Sequence, residues 1–90
     1  MFRLWGKVMK NNKFVADHVF ELEGSDLDRR AITDVGIESL CYHFDLQRPM
    51  WFSDNDKDFN QFGKTRFTQQ HFIETIDFDY FEVEIIDSNK

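Results

Sequence analysis

The chain predicts an α+β domain, an antiparallel sheet packed on one main helix, and three stretches carry that prediction. Residues 2–9 and 13–23 are β-rich runs joined at Lys10-Asn11-Asn12, a hairpin signature because Asn tolerates the left-handed backbone of tight turns. Residues 25–44 repeat apolar side chains at helical spacing. Residues 78–87 alternate, with Asp79, Phe81, Val83 and Ile85 on one side and Phe78, Tyr80, Glu82, Glu84 and Ile86 on the other. The expected order is strand, strand, helix, strand, strand, short helix, strand (ββαββαβ). A single domain over residues 1–90 is expected, because a chain this short has little room for two cores.

The hairpin admits two registers. A two-residue Asn-Asn loop pairs Met9 with Phe14 and Trp5 with His18. A three-residue loop pairs Phe2 with Phe20, Leu4 with His18, Gly6 with Ala16 and Val8 with Phe14, and collects those apolar side chains on one face. A one-residue slip inverts the faces, so burial selects the second register. It leaves Trp5, Val15 and Val19 clustered opposite, as candidate contacts for a partner or a second copy. His18 is expected as a hydrogen-bonded core histidine.

Ser25-Asp26-Leu27-Asp28 has the form of a capping box at the helix start. Projected at 100° per residue, Ile32, Gly36, Leu40 and His43 face the sheet, flanked by Ile37 and Phe44, and Leu27, Ala31 and Val35 widen the apolar arc. Gly36 costs roughly 1 kcal/mol against Ala inside a helix, which makes sense if a strand or ring approaches closely there. Pro49 excludes helical geometry at the residue before it, so the helix stops by about Asp45, with a short strand expected at residues 50–52.

Residues 53–58, Ser-Asp-Asn-Asp-Lys-Asp, read as a polar loop. The Asp54-x-Asp56-x-Asp58 spacing suggests a calcium loop, but Phe59 stands where such loops need Gly and Thr65 where they need Glu. Phe59, Phe62 and Phe67 return the chain to the core, with a strand around residues 63–67. Thr68 is placed to cap a short helix over residues 69–74 that buries Phe72 and Ile73.

Composition excludes several classes. With 41% hydrophobic residues, eleven Phe, one Pro and four Gly, the chain is unlike disordered sequences. Its net charge of −6, with five carboxylates against one lysine over residues 76–90, argues against nucleic acid as a partner. No apolar run approaches a membrane span, no leader pattern opens the chain, and Cys41 has no second cysteine to pair with, which together suggest the cytoplasm.

Reaction motifs are missing as well. Cys41 and His43 are two apart on a helix and diverge, three His and one Cys on separate elements are poor zinc material, and no phosphate loop or nucleophile elbow is present. No catalytic, metal or cofactor residues are assigned, and no cofactor is expected.

The segments Phe44-Asp45-Leu46-x-x-Pro49-x-Trp51-Phe52, Lys64-Thr65-Arg66-Phe67-Thr68, Phe72-Ile73-Glu74 and residues 77–86 resemble a family of small uncharacterised proteins of Gram-positive anaerobic bacteria. The resemblance covers nearly the whole chain, most closely after Phe44. It implies a bacterial cytosolic setting and carries over no activity.

The leading expectation is a small non-catalytic protein-interaction module, homodimeric or with another partner, acting through a sheet edge or the Trp5 face. The alternative is a small-molecule or metal-binding protein with a pocket near the helix exit, at Tyr42, His43, Trp51 and the 54–58 aspartates. A third is an acidic mimic of nucleic acid directed at a basic partner.

Overall fold

In the computed structural model, which describes residues 1–88, two asparagines close the hairpin between β1 (Phe2–Lys10) and β2 (Lys13–Leu22). Asn11 and Asn12 both adopt the left-handed region, φ 54° and 62°, so the turn has two residues and pairs Met9 with Phe14. A β-bulge at Val15 then shifts the register, and Val8 faces Ala16, Gly6 faces His18, Leu4 faces Phe20 and Phe2 faces Leu22. The three-residue-loop register is therefore corrected. Its grouping of Phe2, Leu4, Gly6 and Val8 with Ala16, His18 and Phe20 on one face stands, because one inserted residue restores the parity that the short turn would have inverted. Phe14, before the bulge, goes to the opposite face.

α1 (Arg29–Phe44) follows, then α2 (Ser53–Phe62), β3 (Lys64–Phe67), a single 3₁₀ turn (Gln69–His71) and β4 (Tyr80–Ser88). The four strands form one antiparallel sheet in the order β2-β1-β4-β3, with β4 paired on both sides. A second bulge, at Ile86, interrupts the alternation of β4. Leu4, Leu40, Phe67, Phe81 and Val83 are the most deeply buried apolar residues, and both helices lie on their side of the sheet.

α1 is capped by Asp28, whose Oδ1 accepts the Ala31 amide at 2.8 Å; Ser25 instead bonds the Leu27 amide two residues on. The helix ends at a left-handed Asp45 (φ 57°), and the Leu46 amide donates to the Cys41 carbonyl at 2.8 Å. Its buried side is Ile32, Thr33, Gly36, Ile37, Leu40 and Cys41. Gly36 meets the sheet where expected: a Cβ there would lie 2.8 Å from Leu4 Cδ2 and 3.0 Å from Phe20 Cδ2.

Residues 50–52 are not a strand, and the polar stretch after them is α2, so the sheet carries two helices where one main helix was expected. Asn55, buried, organises it: its Oδ1 accepts the Phe52 amide while its Nδ2 donates to Thr65 Oγ1 (2.8 Å) and the Arg66 carbonyl (3.2 Å). Gly63, left-handed at φ 70°, ends the helix. The short helix expected over residues 69–74 shrinks to the 3₁₀ turn, which buries Phe72 but leaves Ile73 outside; Phe62 is exposed too.

Candidate functional site

With both helices on one side, the other face of the sheet stays uncovered. Period-2 alternation gives it Arg3, Trp5, Lys7 and Met9 from β1, with Asp17, Val19 and Glu21 opposite on β2, and Tyr80, Glu82 and Glu84 on β4. The centre is an ion-pair chain. Lys7 Nζ donates to Glu82 (2.8 Å) and Glu84 (2.7 Å), and Arg66 Nε donates to Glu82 at 2.9 Å. Burial by itself would push the Glu82 carboxyl up, but the Lys7 and Arg66 hydrogen bonds outweigh it and hold the group below its ordinary value. Lys7 is raised for the mirror-image reason. No buried side-chain nitrogen or oxygen among the described residues lacks a partner, so this centre is an internally satisfied surface.

Trp5 sits at the margin of that chain. Lys7 Nζ lies 4.0 Å from its ring centroid, Phe14 stacks on it at 6.1 Å and 18°, and its Nε1 donates to Asp17 at 2.9 Å. Trp5 and Val19 are cross-strand partners and come together as expected. Val15 does not join them: the bulge places it among Val8, Ala16 and Phe44, lining a groove on the helix side. Phe14, 56% exposed, takes the position expected of Val15. Its signal was the Asn-Asn turn, which sets Met9 against Phe14.

β2 is an edge strand of ten residues, and among the described residues nothing pairs with its outer side. The opposite edge, β3, has four. α1 crosses above β1 and β2. Going round the helix, Phe44 meets Phe81 and Gly6, Leu40 lies over Gly6, Gly36 over Leu4 and Phe20, and His43 stacks on His18 at 3.7 Å. Past His43 in the same rotation Ser39 turns sideways on the β2 side, while Val35 and Tyr42 turn back toward solvent, Tyr42 90% exposed.

The expected pocket residues Tyr42, His43 and Trp51 are not brought together. His43 borders the open groove of about 510 Å³ at the helix exit, with Val8, Ala16, Phe44 and Phe78. Trp51 packs on Phe59 and Phe67, donates to Asp56 at 2.6 Å and lies under Arg30. Asp56 thus ties α2 to α1, where Arg30 reaches it at 3.1 Å. The aspartates at 54, 56 and 58 stand on a helix rather than in a loop, and no set of three or more metal-ligating groups occurs among the described residues. His18, expected in the core, is exposed and held by its stack on His43. The buried histidine is His71, whose Nδ1 accepts the Thr68 amide at 3.0 Å; burial lowers its pKa. Burial likewise pushes the Cys41 thiol up to about 12 and keeps it protonated.

No family model, curated protein or solved structure matches the chain. Among the described residues no helix is long and apolar enough to cross a membrane.

Proposed function

We propose that this protein is a non-catalytic interaction module that binds a protein partner by strand addition to β2, in the bacterial cytosol that its resemblance implies. The observation that carries the reading is the unpaired outer side of β2, a ten-residue strand at the edge of the sheet. A free edge presents a row of unused N–H and C=O groups, the usual template for an added strand. Hydrogen-bonded and non-hydrogen-bonded pairs alternate in an antiparallel ladder, and Lys10 and Lys13 form the bonded pair that closes the turn. Counting from them through the bulge turns the backbone of Asp17, Val19 and Glu21 outward.

Val19→Pro tests this directly. It removes one outward N–H without touching the pairing to β1, as edge positions tolerate. Partners captured from cell extract by the wild-type protein should be lost on folded V19P, and equal capture would overturn the reading. Should V19P not fold, hydrogen exchange on the wild type with its captured partner decides: protection must rise at the Asp17, Val19 and Glu21 amides.

The groove beside His43 favours a second reading, a small-molecule site at the helix exit, because its volume suits a ligand and its floor is apolar. A thermal-shift screen against metabolites and divalent ions addresses it, since a ligand that binds only the folded state raises Tm.

A further inference from the structure

Resting on the strand-addition reading, we infer the partner's chemistry: β2 takes an extended segment bearing two basic residues four apart on one face, with an apolar residue midway between them.

The pattern comes from β2 itself. On the open face its outward-turned residues run acid, apolar, acid: Asp17, Val19, Glu21. An added strand in register places every second side chain directly across from these three, close enough for opposite charges to pair. Asp17 accepts a hydrogen bond from Trp5, and its cross-strand neighbour Lys7 turns its ammonium to Glu82 and Glu84, so Asp17 forms no ion pair among the described residues. Glu21 is bonded to Arg3 through Oε2 (2.6 Å), and a carboxylate has acceptor capacity for a second cation. Just beyond the strand, Glu23 and Asp26 are exposed and extend the acidic track, with Lys13 the one cation of β2, at its far end.

The helix-side row meets different chemistry. Side chains of the added strand on that side lie beside Ala16, His18 and Phe20, along the Ser39 flank of α1, which suits small or apolar residues. A second copy of this chain fits the edge poorly, because it brings the same carboxylates and a further −6 of net charge.

The test uses three synthetic peptides of alternating Thr and Val, titrated into the ¹⁵N-labelled full chain. One carries Lys at i and i+4, one the same residues scrambled so that the lysines fall on opposite faces, and one Glu in place of Lys. The first should shift the amides of Asp17, Val19 and Glu21, and added salt should weaken it. Asp17→Asn or Glu21→Gln should each weaken it about two- to fivefold, the worth of one cross-strand ion pair. Equal binding of the Glu or scrambled peptide at these amides overturns the charge assignment and leaves strand addition standing. Shifts elsewhere, none at all, or concentration-dependent self-pairing of β2 overturns the inference, while V19P capture judges the edge reading separately.

Discussion

Gly36 of α1 stands so close to Leu4 of β1 that a single added methyl would come within 2.8 Å of Leu4 Cδ2, with Phe20 at 3.0 Å on its other flank. Leu4 is fully buried and has nowhere to withdraw. Gly36→Ala therefore sets a helix-propensity gain of about 1 kcal/mol against overpacking of roughly 1–3 kcal/mol. The expected outcome is a net loss of about 1 kcal/mol in urea unfolding; a stabilised variant would show that the helix can lift off the sheet without cost.

Asn11 and Asn12 hold the hairpin turn at positive φ. Asn12→Ala should destabilise by about 1 kcal/mol, since L-residues other than Asn, Asp and Gly enter this region unwillingly, whereas Asn12→Gly should be neutral or stabilising. Thermal melts of the two variants make the comparison.

Lys7 and Glu82 are both nearly buried on the open face. Lys7→Met leaves Glu82 paired only with Arg66, and the loss should be about 2–3 kcal/mol, under the full cost of orphaning a buried charge. The pH dependence has a definite sign. Glu82 is lowered in the folded state, so its contribution is present above its ordinary value of 4.5 and is lost as pH falls through the folded pKa. Denaturant midpoints of the wild type should fall in that acidic window, and Glu82→Gln should flatten the fall.

His71 acts at higher pH with the same sign. Burial lowers its pKa, so the unfolded chain takes up the proton first, and stability declines as pH drops from the ordinary 6.5 toward the folded value. The Thr68 amide also needs Nδ1 unprotonated. His71→Phe should be less stable at neutral pH but show a shallower decline as pH falls below the ordinary histidine value of 6.5.

Cys41, buried and held as a thiol with its pKa near 12, should resist alkylation in the native protein. Iodoacetamide labelling followed by mass spectrometry should track opening of the fold, accelerating with denaturant. Rapid labelling under native conditions would contradict this burial.

Much of the architecture is legible in local rules. Period-2 alternation in residues 2–9 and 80–85 sorts side chains to their faces without knowledge of the neighbouring strands. The helix ends short of Pro49, which bars helical geometry before it, and the left-handed Asp45 sets the stop itself; Gly36 marks a close approach because nothing else justifies a glycine mid-helix. The candidate site is only half legible: Trp5 and Val19 meet because they share a face, and Asp17-x-Val19-x-Glu21 is visible as a pattern once β2 is known to lie at an edge.

Tertiary structure alone decided the rest, and the reason each time is that the deciding contact is distant in sequence. The bulge at Val15 exists because α1 must bury one face of β2 while the Asn-Asn turn sets the opposite parity, and it exchanged Phe14 for Val15 beside Trp5. α2 forms from a stretch whose only apolar residues are Phe59 and Phe62 because Asn55 finds Thr65 and Arg66 on β3. Strand order depends on β4, from the end of the chain, inserting between β1 and β3. That insertion leaves β2 outermost, and with it the one long free edge among the described residues.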